Sequence, residues 1–205
     1  MSEGNEGKDS IKIILLGESG VGKTNLINVA MNKEFEQNTI SSIHSSYLEG
    51  TMEYNNREYP YALWDTAGQE IYRALNKIFI KGAKIVICVY AIDNKESFNQ
   101  IEYWINNAKE TLGEKKYIMA LLANKSDLFE EQTVPDDDGK AIADKYKMKF
   151  KITSACSDAE GFKLFLKELI IDYINFIGPE AETTINFKLK KNGAIMSGVL
   201  FTFAA

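Results

Sequence analysis

The stretch Gly17-Glu18-Ser19-Gly20-Val21-Gly22-Lys23-Thr24 constrains what this chain can fold into more than any other. A near-continuous apolar run, Ile11 to Leu16, precedes it and a helical pattern follows. That setting of strand, loop and helix gives the pattern G-x-x-x-x-G-K-[ST] its meaning. Glycines let the backbone curl until successive N–H groups converge on a phosphate at the positive end of a helix. In such a loop Lys23 reaches the β- and γ-phosphates, and the Thr24 hydroxyl takes one coordination position on Mg²⁺. Ser19, Gly20, Val21, Gly22, Lys23, Thr24 and Asn25 are the candidate phosphate-side residues. The motif implies a nucleoside triphosphate and leaves the base open.

The rest of the chain supplies the sheet that such a loop needs. Ile85 to Ile92 and Tyr117 to Ala123 are further apolar runs, as expected of parallel strands buried on both faces. Tyr47 to Tyr54 and Arg57 to Trp64, joined by Asn55-Asn56, predict a hairpin with a two-residue turn. Helical spacing runs through Ser97 to Leu112 and through Gly161 to Ile177. In the second, Phe162, Phe165, Leu166, Leu169, Ile170, Tyr173 and Ile177 form a stripe that predicts core packing. The expectation is one α/β domain over residues 10–177, a mixed sheet with helices on both faces. Residues 1–9 are expected to be a flexible N-terminus. Gly178-Pro179 stops the last helix, and 178–205 predicts a flexible tail with no trusted periodicity.

Composition excludes several classes. With 24 basic and 29 acidic residues the chain carries −5, which argues against a generally basic nucleic-acid binder. Two cysteines, Cys88 and Cys156, are too few for a disulfide framework and suit a reducing compartment. The polar start MSEGNEGKDS does not resemble a secretory signal, and no apolar run approaches the about 20 residues of a membrane span. A cytoplasmic protein is the expectation.

Asn124-Lys125-Ser126-Asp127 follows the third apolar run, and Trp64-Asp65-Thr66-Ala67-Gly68-Gln69-Glu70 lies between it and the phosphate loop. In that order the motifs resemble the small GTPases of the Ras superfamily, over residues 11 to about 177. The resemblance implies a P-loop G domain, a mostly parallel six-stranded sheet with one antiparallel strand. It implies that Asp127 accepts from guanine N1–H and the exocyclic amine. Adenine lacks that amine and would leave the carboxylate unpaired, which gives discrimination. Asn124 would brace the loop and contact N7, and the Lys125 stem would cover one ring face. Ser154-Ala155 would form the second guanine loop, with the Ala155 N–H donating to O6. Cys156 stands where the family usually has lysine. Asp65 would hold Mg²⁺ through water, the Gly68 N–H would meet the γ-phosphate, and Gln69 would orient the attacking water, with Lys23 as its catalytic partner. Phosphoryl transfer asks for placement and charge stabilisation, so the single histidine, His44, is not needed as a base.

The first switch departs from the pattern. The family's magnesium-binding threonine maps to Ser42, with Thr39 three residues early and His44 where glycine is preferred. A serine keeps the hydroxyl and the N–H, and the same register places Phe35 against the guanine. Several strings resemble Rab proteins most, among them Lys81-Gly82-Ala83, Val89-Tyr90, Glu96-Ser97-Phe98 and Trp104. Tyr47, Trp64 and Phe79 map to the aromatic triad of the Rab partner surface. Implied partners are GTP or GDP, an exchange factor, an activating protein and effectors, with the chain itself a monomer. Rabs end in prenylated cysteines, whereas this sequence has no cysteine after Cys156, so membrane association is left open. The implied function is a switch in vesicle trafficking, on the cytosolic face of endomembranes. The rivals are a degenerate nucleotide-binding module with little hydrolysis, a GTPase of another Ras branch, and a P-loop ATPase or kinase.

Overall fold

The structure, a computed structural model, describes residues 10–32, 46–66, 76–178, 188–191 and 194–197. Strand β1 (Ile11–Leu16) lies between β3 (Arg57–Asp65) and β4 (Ile85–Ala91), and β5 (Ile118–Asn124) and β6 (Lys149–Ile152) continue the sheet beyond β4. These five strands run parallel, and β2 (Ser46–Tyr54) closes the other side as an antiparallel partner of β3. This is the mixed, mostly parallel G-domain sheet that the motifs imply.

Alternation along the strands explains the two-sided core. Ile11, Ile13 and Leu15 of β1, with Ile85, Ile87 and Val89 of β4, face one apolar cluster. Helices α1 (Lys23–Ala30) and α6 (Ala159–Ile177) complete it, the latter through the stripe Phe162 to Ile177. Ile14 and Leu16, with Val86, Cys88 and Tyr90, face the opposite cluster. There α2 (Asn76–Ile80), α4 (Ile101–Leu112) and α5 (Asp136–Tyr146) contribute Ile80, Trp104, Ile105 and Ala143. A strand buried on both faces has few positions for a polar side chain, which is why these runs read as near-continuous in sequence, Lys12 being the interruption in β1.

The hairpin turn is where the dipeptide predicts it. Asn55 and Asn56 both take positive φ, 50° and 59°, the geometry whose twist matches that of paired strands. The helix expected over Ser97 to Leu112 is instead two pieces, α3 (Lys95–Asn99) and α4, divided at Gln100. Asn94 caps the first through Ser97 N–H, and the buried Ser97 hydroxyl donates to the Asn94 carbonyl at 2.7 Å. The same hydroxyl accepts from the Ala91 N–H at 3.1 Å, which ties α3 to the end of β4.

Within 178–205, where the sequence shows no trusted periodicity, the structure describes two short strands. Strands β7 (Lys188–Lys191) and β8 (Ala194–Ser197) pair with each other, and β7 pairs with the start of β3 at Arg57 and Glu58. Four-residue strands are too short for alternation to register in a sequence, and here pairing with an existing edge decides the conformation.

Candidate nucleotide site

At the end of β1 the chain turns immediately. Gly17 has φ +155°, and a Cβ there would lie 2.1 Å from the Val89 carbonyl oxygen. At Gly22, φ is +95° and a Cβ would meet the Asn124 amide nitrogen at 2.4 Å. The first glycine lets the loop lie against β4, and the second lets it lie against the end of β5. Lys23 is 3% exposed and donates its ammonium to the carbonyls of Gly17 and Glu18, both at 2.8 Å. The loop's own carbonyls therefore offset the burial of a charge held at the positive end of α1.

Beside it, the Thr24 hydroxyl donates to the Asp65 carboxylate at 2.8 Å, joining the first turn of α1 to the end of β3. Asp65 is 3% exposed, and the neighbouring Thr66 hydroxyl ties that strand end to the Leu15 carbonyl at 2.7 Å. A hydroxyl and a buried carboxylate facing each other form an oxygen-only donor pair, the chemistry that Mg²⁺ prefers. Among the described residues no cluster of three or more His, Cys, Asp or Glu could cage a metal by itself.

The second half of the site is held to the first by one side chain. Asn124, 1% exposed, donates to the Val21 carbonyl at 2.8 Å and accepts from the Ala155 N–H at 3.2 Å. Phosphate loop, β5 end and the loop at 154–156 are thus one unit. The Ala155 N–H, expected to face a base carbonyl, is engaged with Asn124 in this arrangement. Asp127 accepts from the Ser154 hydroxyl, which in turn accepts from the N–H groups of Cys156 and Ser157 at 3.0 Å. Lys125 sits at φ 66°, and its ammonium pairs with Asp93 at 3.2 Å. That pair joins the loop after β5 to the loop after β4.

Comparison with known proteins agrees with this geometry. Residues 12–173 match the Ras family. The chain belongs to the Ras family. Ras-related protein Rab-11B of Dictyostelium discoideum is 35% identical over 189 residues, which cover 91% of this chain and 85% of that protein. Ras-related protein RABA5a of Arabidopsis thaliana is 34% identical over 172 residues, 82% of this chain and 77% of its own length. Human Ras-related protein Rab-22A is 32% identical over 157 residues, 77% and 80% of the two chains. The Ras-family chain is therefore a Rab-like small GTPase, a hydrolase of GTP.

Of the three aromatics expected at a partner surface, Tyr47 and Trp64 are cross-strand neighbours on β2 and β3 and stack with centroids 5.0 Å apart. Tyr47 is 48% exposed. The Lys12 ammonium lies 4.3 Å over the Trp64 ring, and burial pushes its pKa below the usual lysine value. Phe79 is on α2, half-buried against the second core cluster. Phe35, Thr39, Ser42, His44, Gly68 and Gln69 lie outside the described residues.

Three supports of the Ras-family site escaped the motif reading. Asp93 anchors Lys125, and its signal was its place just after the second apolar run. Asp158 caps α6 through Gly161 N–H at 3.1 Å and accepts from Thr153 at 3.0 Å, steadying the loop that carries Ser154. Trp104 donates its indole N–H to the Glu18 carboxylate at 3.1 Å. Among the described residues no helix is long and apolar enough to cross a membrane.

Proposed function

We propose that this chain is a Rab-like switch that binds GTP, hydrolyses it slowly and recruits effectors in membrane trafficking while GTP-bound. The observation that carries the reading is Asn124, whose amide joins the phosphate loop to the loop of Ser154 and Ala155. The phosphate loop and the loop whose Ser154 holds Asp127 are thereby joined through one side chain. In this reading Ser19 to Asn25 hold the phosphates, with Lys23 shielding β- and γ-oxygens. Asp127 and Ala155 read the base, with Lys125 and Phe35 against its faces. Thr24 and Ser42 would hold Mg²⁺ directly and Asp65 through water. The ion would supply charge neutralisation between β- and γ-phosphates. Gly68 N–H would meet the γ-phosphate, and Gln69 would place the water in line.

Mass spectrometry of the nucleotide that copurifies tests the base: GDP or GTP supports the reading, and tight ATP binding overturns it. Asp127→Asn is expected to move preference from GTP towards XTP. Single-turnover hydrolysis tests the switch. Turnover lost in Gln69→Leu supports it, and the absence of any Gln69-dependent turnover makes the protein a nucleotide-binding module. Tyr47, Trp64 and Phe79 would form the effector surface, and relatives named as Rab proteins support a place on the cytosolic face of endomembranes.

A further inference from the structure

Glu18 is the second residue of the phosphate loop, and two of its groups are used for different ends. Its main-chain carbonyl accepts from the Lys23 ammonium at 2.8 Å. Its side-chain carboxylate accepts the indole N–H of Trp104, 86 positions away, at 3.1 Å. Trp104 is 2% exposed and lies on α4 among Leu16, Tyr90, Ile101, Ile105 and Ala108. Tyr103 meets its ring edge-on at 5.2 Å. An indole N–H is a donor only, and a buried one must find an acceptor. Here it finds a charged acceptor on the phosphate loop, apart from the bonds that Lys23 and Asn124 make to that loop.

We propose that the Trp104–Glu18 bond is a positioning element of the nucleotide site: α4 holds the phosphate loop, and hence Lys23, in register for the β-phosphate. The carboxylate is not a ligand of the nucleotide. It fixes the peptide whose carbonyl aims the lysine, so the rigid second core cluster extends into the loop at one point. The bond therefore acts on nucleotide retention, and any partner that displaced α4 would loosen the loop. This inference rests on the guanine-nucleotide reading above.

Release of a fluorescent GDP analogue, chased with excess GDP, tests it. The full chain must first bind the analogue; failure there overturns the guanine-nucleotide reading and not the tether. Given binding, Trp104→Phe keeps the apolar ring and removes the donor. Release is expected to be roughly tenfold faster, the usual weight of one hydrogen bond to a charged group. The decisive measurement is the cycle with Glu18→Ala. Trp104→Phe should add less than about twofold in that background, since the bond is already gone. Equal acceleration in both backgrounds would assign the effect to ring packing and overturn the proposal, as would no acceleration in either. Should Trp104→Phe fail to fold, Glu18→Ala against Glu18→Gln settles the matter. Fast release in alanine with near-parental release in glutamine, which keeps the acceptor, supports the tether, and equal release in the two removes it.

Discussion

Single residues carry much of what holds this site, and Asn124 carries the most. Its amide makes two buried bonds to two different loops, and a truncated side chain leaves the Val21 carbonyl and the Ala155 N–H without those partners. Asn124→Ala is expected to cost about 2–4 kcal/mol of stability, the weight of two buried bonds left half-made. Urea unfolding at several GDP concentrations checks this, because lost affinity would flatten the GDP dependence while lost stability would shift every curve equally. Cys88 offers a second test at this scale. Full burial raises its thiol from an ordinary 9.0 to about 12. The neutral thiol is favoured in the folded chain, so its stabilisation is complete below about 9 and is lost as pH rises from 9 towards 12. Cys88→Ala should reduce the alkaline slope of stability between pH 9 and 10, read by denaturant melts. In the native protein a maleimide should label the exposed Cys156 and leave Cys88 until unfolding.

At the scale of elements, legibility followed length and periodicity. Ile11–Leu16 was readable to the residue, because five of its six side chains are apolar and buried, with Lys12 the single interruption. The hairpin was readable from Asn55-Asn56, because few residues accept two successive positive φ angles. The four residues of β6, Lys149–Ile152, alternate too briefly to register, and the sheet edge leaves Lys149 exposed. Helix α5 has a thin apolar face, and Gly139 within it blurs the pattern. Its signal was the first turn, Asp136, Asp137 and Asp138 directly after Pro135, which complements a helix dipole. The split at Gln100 was invisible, since both halves share one stripe and the bond from Ala91 N–H to the Ser97 hydroxyl depends on the position of β4. Of the candidate site, the phosphate loop and Asp127 were legible as local strings. Asp93 and the partnership of Glu18 with Trp104 were not, because each joins residues that only the fold brings together. Substitutions at two positions test the local logic. Asn56→Ala is expected to cost about 1 kcal/mol and Asn56→Gly close to none, since only the first penalises a left-handed backbone. Asp158→Ala should cost about 1 kcal/mol for the lost cap of α6. Both are measured by equilibrium denaturation.

On the scale of the whole molecule, the question is where the working domain ends. The Ras-family match stops at residue 173, and the last residue of the first core cluster is Ile177, followed by Gly178 at φ 71°. Strands β7 and β8 then return to the sheet, and β7 meets β3 at Arg57 and Glu58. Strand β3 carries Asp65 at its other end, eight positions further along a strand that rises about 3.3 Å per residue. The hairpin thus pairs with β3 about 23–26 Å along the strand from Asp65, and it meets the sheet through two residue pairs. Two ladder positions at an edge contribute about 1–2 kcal/mol at most, against the entropy of ordering the segment. Ending the chain after Gly178 should therefore change the urea midpoint little, by less than about 1.5 kcal/mol in stability, and leave GDP release within twofold of the full chain. A larger loss of stability with release unchanged would make the hairpin a structural part of the sheet. Faster release would mean that strain at the start of β3 reaches Asp65 along the strand, and that the sheet transmits what the loops do not.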